Sequence, residues 1–260
     1  MGAVLGWVVF ALSGVYRRQV LAHAALAGVS RWETLASVGQ AGKMVAELPR
    51  LWLGKPVPVR MDGAEHIDAA LAAGQGILFL TPHMGSFEIT ASAYAALYGT
   101  QPGKGMTVLF RPSRQPWLRE LVTTARQRPG LSTAPTTLAG VKQLVKTLRS
   151  GGAVGLLPDQ VPPLGQGVWA SFWGRVAYTM TLSARLARTS NTTVLLAWGE
   201  RLTWGRGFVV HVLPFAHVLP LEPEAACAVI NEAMADVIST CPAQYLWGYN
   251  RYKAPREGGV

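Results

Sequence analysis

The stretch that decides the fold is Ile77-Leu-Phe-Leu-Thr-Pro-His-Met-Gly-Ser-Phe-Glu88, in which an uninterrupted apolar run leads directly into a polar segment. Residues 77–80 have the length and composition of a strand buried on both faces, as in parallel sheets. Residues 89–98 then have the pattern of a helix that ends at Gly99. A strand, a polar loop and a helix in this order are typical of an α/β fold.

The same alternation extends in both directions along the chain. The N-terminal part is helical until about Leu53, and further apolar strands are predicted at residues 107–110 and 153–157. Helices are predicted at residues 62–73, 116–127, 138–149, 181–188 and 222–240, and an antiparallel hairpin at residues 194–202 and 208–213. We therefore predict an α/β fold with a mixed, mostly parallel sheet flanked by helices. Residues 54–260 are expected to form one globular unit behind a helical segment of residues 1–53.

The first residues form another apolar stretch, Gly2-Ala-Val-Leu-Gly-Trp-Val-Val-Phe-Ala-Leu12, followed by Arg17 and Arg18. This stretch is shorter than the roughly 20 residues needed to cross a bilayer. Its positive charges come after the apolar run, whereas those of a signal peptide come before it. The pattern favours an N-terminal membrane-associating helix, as a shallow anchor or the remnant of a longer one, with the main domain on the cytoplasmic side. An ordinary buried first helix is the alternative.

The chain has a net charge of +10, and most of the excess lies between Lys104 and Arg149, where nine basic residues accompany a single acid, Glu120. Such a region attracts nucleic acid, anionic lipid, phosphorylated substrates or an acidic protein. Lys142 and Lys146 lie on one face of a predicted helix, although a solvated basic face explains them equally well. The aromatic residues are not arranged as in an RNA-binding motif, so we expect no nucleic acid partner.

The two cysteines, Cys227 and Cys241, do not have the spacing of metal ligands. We expect neither a disulfide framework nor a zinc site, which fits a reducing compartment. The sequence also has no glycine-rich phosphate loop of the P-loop or dinucleotide type. No metal and no cofactor are therefore expected.

Three polar residues each follow a predicted apolar strand: His83, Arg111 and Asp159. Ligands bind at the carboxyl ends of the strands in open α/β sheets, so we expect these residues to converge on one site. Arg111 suits a phosphate or a developing negative charge, and a structural ion pair is its alternative. Asp159 is expected to pair with an arginine such as Arg111 or to position the acceptor, and a simple turn aspartate is its alternative.

His83 and Glu88 have the spacing H-x4-E. Histidine side chains have an ordinary pKa near neutrality, so a neutral imidazole can accept a proton, and a carboxylate can fix its tautomer. Glu88 is expected to supply that carboxylate if a turn at Gly85 and Ser86 brings the two together. A strand-capping histidine and an ordinary first-turn acid are the alternatives. Ser86 is the nearest possible nucleophile, but the G-x-S-x-G elbow does not occur in the sequence, which favours direct transfer without a covalent intermediate.

Several longer blocks occur in a fixed order: Pro82-His-Met-Gly-Ser-Phe-Glu88, Phe110-Arg-Pro112, Leu157-Pro-Asp-Gln160, Gly167-Val-Trp-Ala-Ser-Phe-Trp-Gly-Arg175 and Tyr245-Leu-Trp-Gly-Tyr-Asn-Arg251. With these blocks, residues 16–253 resemble the lipid A late (lauroyl/myristoyl) acyltransferases of Gram-negative bacteria, within the H-x4-D/E acyltransferase superfamily. That family often has Asn before the histidine and Asn-Trp before the glutamate, where this chain has Thr81-Pro82 and Ser86-Phe87. The chain is therefore expected to belong to a variant subgroup.

The resemblance implies a fatty acyl transfer from an acyl carrier protein thioester to a hydroxyl of a phosphorylated glucosamine-disaccharide lipid, at the cytoplasmic side of the bacterial inner membrane. It also implies site residues: His83 as the base, Glu88 as its partner, Arg111 and Asp159 as further catalytic residues, and Gln160, Gly174 and Arg175 nearby. An acidic carrier and an anionic lipid would account for the basic residues, including Lys142 and Lys146 as substrate-binding residues.

Two other functions remain open at this point. The same chemistry can act on a glycerophospholipid, an ornithine lipid or another glycolipid. Alternatively, the chain is a non-catalytic protein that binds anionic lipid or nucleic acid through its basic residues. In that case His83 would be dispensable, while Lys142 and Lys146 would not.

Overall fold

The computed structural model describes residues 1–110 and 128–257. Its strands are β1 (Val59–Asp62), β2 (Gly76–Leu80), β3 (Met106–Phe110), β4 (Leu131–Pro135), β5 (Ala153–Leu156), β6 (Gly167–Phe172), β7 (Arg175–Met180), β8 (Thr192–Arg201) and β9 (Phe208–Pro214). Its α-helices are α1 (Gly2–Leu12), α2 (Gly14–Leu26), α3 (Arg31–Leu53), α4 (Ala64–Ala72), α5 (Phe87–Tyr94), α6 (Leu138–Arg149), α7 (Leu182–Ala187) and α8 (Pro223–Thr240).

Seven of the described strands form one sheet in the order β1-β9-β8-β2-β5-β3-β4, and β6 and β7 form a separate hairpin. Within the seven-stranded sheet, β8 and β9 are antiparallel, and the other neighbouring strands are parallel. The prediction of a mixed, mostly parallel sheet is thus confirmed. Strand β2 lies between β5 and β8, with Leu80 paired to Leu156 on one side and to Leu196 on the other.

Strand β2 is apolar throughout because helices cover both faces of the sheet. Ile77 and Phe79 point into one core, which they share with residues of α4 and α5. Leu78 and Leu80 point into the opposite core, together with residues of α6, α7 and α8. Successive side chains of a strand alternate between faces, so a doubly covered strand has no position left for a polar residue.

The N-terminal helices pack closely because glycines lie at their contact. A Cβ atom on Gly6 of α1 would lie 2.0 Å from the carbonyl oxygen of Val38 in α3, and one on Gly42 would lie 2.2 Å from that of Gly2. The outer side of α1 exposes large apolar side chains: Val4, Leu5, Trp7, Val8, Val9 and Leu12. Among the described helices, none combines the length and apolar character that crossing a membrane requires.

The sequence-based prediction lacks four of the observed strands: β1, β4, β6 and β7. Strands β1 and β4 are the outermost described strands of the sheet, and their exposed residues hide the alternation of a core strand. The hairpin β6–β7 is also missing from the sequence-based prediction, and it turns through Trp173 and Gly174, both with positive φ. The helix predicted at residues 116–127 lies outside the described residues.

Candidate active site

His83 and Asp159 lie side by side at the carboxyl edge of the sheet. His83 comes three residues after the end of β2, and Asp159 comes three residues after the end of β5. Because β2 and β5 are neighbouring parallel strands, their exit loops lie next to each other. The expected convergence of these two residues is therefore present, and it depends on strand order rather than on proximity in sequence.

Two hydrogen bonds join the pair. The distance from His83 Nδ1 to Asp159 Oδ1 is 2.6 Å, and the backbone N–H of His83 donates to Asp159 Oδ2 at 2.9 Å. An ionised carboxylate can only accept, so the imidazole proton lies on Nδ1 and the lone pair lies on Nε2. The side chain of Asp159 is 1% exposed and that of His83 is 18% exposed, so the histidine is the accessible member.

The surroundings keep Asp159 ionised despite its burial. Burial acts to raise the pKa of this carboxyl, but attraction to His83, the hydrogen bonds from His83 and the charge of Arg251 outweigh it, and the pKa of Asp159 is lowered. Burial and the Asp159 carboxylate raise the pKa of Tyr245 well above its ordinary value, so its phenol stays protonated. Asp159 therefore serves as the fixed negative charge of the site.

Arg251 is a buried cation whose position is set by several contacts. Its Nη1 donates to the carbonyl oxygen of Tyr178 at 2.7 Å, and its Nη2 donates to Thr179 Oγ1 at 2.7 Å. Nη2 also lies 3.3 Å from Asn231 Oδ1. The role of Arg251 beside Asp159 is missing from our sequence-based reasoning, although the resemblance includes the block that ends at this arginine.

The segment between His83 and Glu88 is a tight turn at Gly85, which has a φ of +60°. A Cβ atom there would lie 1.9 Å from the carbonyl oxygen of Gly199 in β8, so the position requires glycine. The backbone N–H of Gly85 donates to the carbonyl oxygen of Gln244, and that of Ser86 donates to the carbonyl oxygen of Gly199. The turn is thus held between β8 and the C-terminal segment of the chain.

Glu88 lies in the first turn of α5, as expected from the sequence. Its Oε2 accepts a hydrogen bond of 3.4 Å from Trp52 Nε1, at the end of α3. The carboxylate bonded to Nδ1 of His83 belongs to Asp159, whereas the expected pairing of Glu88 with the imidazole stays a prediction. Asp159 also has an arginine nearby, since the charge of Arg251 lowers its pKa, and the expected pairing with Arg111 concerns a residue outside the described part of the chain. Strand order explains the bond to Asp159, because it brings together two residues that are 76 positions apart in the sequence.

Next to Glu88 lies a cavity with mainly apolar walls. It is lined by one side of α5, by the sheet face at β3 and by the end of α3: Trp52, Phe87, Glu88, Ala91, Ser92, Val108, Leu109, Arg128, Leu131 and Leu157. The ring of Phe87 also packs edge-on against the His83 imidazole, with centroids 5.1 Å apart. Phe87 therefore links the histidine to this small, mainly apolar cavity.

The other predicted site residues differ in their placement. Gln160 follows Asp159 directly and is half-buried, whereas Arg111 lies outside the described residues. Gly174 and Arg175 lie at the tip of the β6–β7 hairpin, where the guanidinium of Arg175 lies 4.5 Å from the ring centre of Tyr252. The neighbouring aromatic residues Trp173, Tyr245 and Trp247 connect this tip to the His83 loop.

Lys142 and Lys146 are exposed on α6 and are not brought together with His83. The end of α6 lies at the opposite edge of the sheet, since a Cβ atom on Gly76, the first residue of β2, would lie 2.1 Å from the carbonyl oxygen of Leu148. The two lysines line a groove together with Arg149 of α6 and a residue of α7: Arg185. This basic groove is separate from the edge that carries the histidine.

Within residues 1–110 and 128–257, no cluster of three or more His, Cys, Asp or Glu side chains could hold a metal ion. The described site consists instead of an accessible imidazole on a buried carboxylate, next to an apolar cavity. In an α/β protein, such an arrangement can supply a general base beside an apolar cavity.

The chain belongs to the bacterial lipid A biosynthesis acyltransferase family, whose model matches residues 33–254. It is 28% identical over 196 residues to a lipid A biosynthesis acyltransferase of Haemophilus influenzae, covering 75% of this chain and 59% of the relative. It is also 28% identical over 198 residues to the lipid A biosynthesis lauroyltransferase of Escherichia coli K12, covering 75% of this chain and 62% of that protein. The palmitoleoyltransferase of the same organism is 24% identical over 232 residues, which are 87% of this chain and 72% of the relative. The chain thus spans about three fifths of the length of the first two relatives.

Proposed function

We propose that this protein transfers a fatty acyl chain from an acyl carrier protein thioester to a hydroxyl of a lipid A precursor. The observation that carries the proposal is the hydrogen bond between His83 Nδ1 and the buried Asp159, which leaves Nε2 as an accessible base beside an apolar cavity. The family to which the chain belongs supports the substrate class.

The proposed reaction is a direct transfer between two bound substrates. Nε2 of His83 takes the proton of the acceptor hydroxyl while its oxygen attacks the thioester carbonyl carbon. The carbon–sulfur bond then breaks, and the leaving thiolate takes the proton from the imidazolium. Asp159 stabilises the imidazolium that forms in between, as a carboxylate does in other histidine bases. No acyl-enzyme forms in this scheme.

The remaining site residues bind and orient the substrates in this proposal. The acyl chain occupies the cavity beside Glu88, whose walls are mainly apolar. Glu88 is proposed to support the histidine base and to orient the reacting groups at the cavity, and Gln160 is proposed to act next to Asp159. Arg111 is proposed to bind a phosphate of the acceptor.

The basic residues are proposed to act at a distance. Lys142 and Lys146 lie in the basic groove away from His83, so they attract the acidic carrier protein and the anionic lipid without touching the reacting atoms. Gly174 and Arg175 are likewise proposed to contact substrate from the hairpin tip. Reversal of both lysine charges is expected to raise KM for the carrier thioester and to leave kcat nearly unchanged.

Residues 1–53 are proposed to be a membrane-associating segment that holds the catalytic unit, residues 54–260, at the cytoplasmic face of the inner membrane. The apolar outer side of α1, followed by Arg17 and Arg18, suits insertion parallel to the surface of an anionic bilayer. Val8→Glu places a negative charge on that side and is expected to weaken binding to vesicles of phosphatidylglycerol and phosphatidylethanolamine. Unchanged sedimentation with the vesicles would contradict this orientation.

The test of the function uses purified full-length chain, acyl carrier protein thioester and a tetra-acylated lipid A precursor. The expected product is one acyl chain heavier by mass spectrometry, and His83→Ala is expected to abolish it. A parallel panel of lysophospholipid, ornithine lipid and other glycolipid acceptors tests the choice of acceptor. Absence of transfer to the precursor by folded protein would refute the proposal, and transfer only to another acceptor would reassign the substrate.

A further inference from the structure

Arg201, the last residue of β8, connects the turn at Gly85 to helix α3. Its Nε and Nη2 donate to the two carboxylate oxygens of Glu47 at 2.6 and 2.5 Å, and its Nη1 donates to Gln40 Oε1 at 3.0 Å. Nη2 also donates to the carbonyl oxygen of Gly85 at 3.1 Å. The side chain of Arg201 is 9% exposed and that of Glu47 is 15% exposed, so the ion pair is largely shielded from water.

The backbone of Arg201 holds the same turn from a second direction. Its N–H donates to Gln244 Oε1 at 2.9 Å, and its carbonyl oxygen accepts from Gln244 Nε2 at 3.0 Å. The carbonyl oxygen of Gln244 in turn accepts the backbone N–H of Gly85 at 2.9 Å. Both backbone polar groups of Gly85 are therefore bound by Arg201 or by the glutamine that Arg201 holds.

A displacement of Gly85 would move both ends of the H-x4-E segment, which are His83 and Glu88. It lies two residues after His83 and three before Glu88, in a left-handed conformation that fixes the direction of the chain. Helix α3 contacts the same segment again at its end, where Trp52 donates to Glu88. The segment is thus held by α3 at two points, one of which depends on the guanidinium of Arg201.

We propose that Arg201 is a positioning residue, which holds the turn at Gly85 so that His83 and Glu88 keep the geometry required for transfer. The proposal rests on the proposed function for its kinetic part, while its structural part is independent of any substrate. A planar guanidinium can bind Glu47, Gln40 and Gly85 together because its donors point in fixed, divergent directions. A lysine ammonium at this position keeps the charge for Glu47 but cannot hold all three acceptors.

The test compares wild type, Arg201→Lys, Glu47→Gln and the control Arg206→Lys. Arg206 follows β8, is exposed, and donates locally to Thr203. For each protein we would measure kcat and KM with carrier thioester and lipid A precursor, the melting temperature, and hydrogen exchange of peptides covering residues 81–88 and 192–201. The kinetic assays are run well below the melting temperature, so that all proteins are folded.

For Arg201→Lys, kcat is expected to fall on the order of 10- to 100-fold, since a misplacement of about 1 Å at a reacting group can cost a factor of that size. KM is expected to stay within about twofold, because Arg201 touches no substrate in the proposed site. Exchange in residues 81–88 is expected to accelerate about tenfold through loss of the Gly85 bond. Glu47→Gln keeps an acceptor and should give a smaller effect in the same direction, and Arg206→Lys should give none.

Two results would overturn the proposal: kcat and exchange in residues 81–88 that match the control, or a loss of kcat accompanied by equally faster exchange throughout the sheet. The second result would mean that Arg201 only stabilises the fold. If wild type itself transfers no acyl chain, the proposed function fails, and local exchange alone then decides whether Arg201 holds the turn.

Discussion

Replacing Asp159 with asparagine separates the charge of this residue from its shape. In the structure one carboxylate oxygen faces Nδ1 of His83 and the other faces the backbone N–H of the same residue. An amide has one oxygen and one NH2, and the backbone N–H can only donate. If the amide oxygen stays on the backbone N–H, the NH2 faces Nδ1 and the imidazole proton must move to Nε2, which removes the base.

In the other orientation the amide oxygen faces Nδ1 of His83, so the reactive tautomer is kept. The amide NH2 then faces the backbone N–H of His83, and these two buried donors have no acceptor between them. Leaving buried donors without partners costs about 1–3 kcal/mol. At about 1.4 kcal/mol per factor of ten, the reactive form is then reduced by a factor of about 5 to 150. The variant also loses the charge that stabilises the imidazolium, and the corresponding change in a Ser-His-Asp triad lowers kcat by about 10⁴. We therefore expect Asp159→Asn to lower kcat by about 10² to 10⁴.

The assay is acyl transfer from carrier thioester to lipid A precursor, with kcat and KM determined separately at pH 7. KM should remain near the wild-type value, because Asp159 is 1% exposed and contacts Nδ1 of His83 rather than the substrate. Asp236→Asn is the matched control, since Asp236 lies 3.9 Å from His217 in an exposed pair. A kcat for Asp159→Asn within about threefold of wild type would refute the assignment of Asp159 as the carboxylate of the base.

Three further predictions concern pH, thiol reactivity and chain length. The lowered pKa of Asp159 means that its carboxylate stabilises the fold above the ordinary aspartate range of about 4 and that this contribution is lost as the pH falls through the lower folded-state value. Between pH 7 and pH 3, denaturant unfolding should thus show a larger loss of unfolding free energy in wild type than in Asp159→Asn. Equal losses in the two proteins would contradict this contribution of the Asp159 carboxylate. Burial and the charge of Glu224 raise the pKa of the Cys227 thiol to about 11, so this thiol should react with a disulfide reagent at pH 8 only after unfolding, and rapid native labelling would count against the described packing. Ala91→Phe narrows the cavity beside Glu88 and should shift the transferred chains to shorter ones, and an unchanged product profile would place the acyl chain elsewhere.

The elements that the sequence predicts best are those with strong local signals. Helix α6 is predicted with its observed bounds, because Thr137 caps its start, apolar residues recur at helical spacing and glycines follow its end. Strand β2 is recognised by its apolar run. Strands β1 and β4 are missed because edge strands carry exposed and polar residues, so their identity depends on the neighbour that they join.

The position of the candidate site can be predicted from the sequence, but the hydrogen bond between His83 and Asp159 cannot. The rule that ligands bind at the carboxyl ends of parallel strands places His83 and Asp159 at the same edge. Their hydrogen bond depends on β5 lying directly beside β2, and nothing local in the sequence specifies that order. The connection of Arg201 to Gly85 and Glu47 is even harder to predict from the sequence, because it joins three segments that are far apart in the chain.

The distance of 76 residues between His83 and its carboxylate also has a consequence for the synthesis of the protein. When a nascent chain has emerged only as far as β4, the histidine is outside the ribosome but Asp159 has not yet emerged. The fixed tautomer arises only after β5 inserts between β2 and β3 and completes the centre of the sheet. The histidine can therefore meet its carboxylate before β8, β9 and α8, which complete the surrounding sheet and core, have emerged.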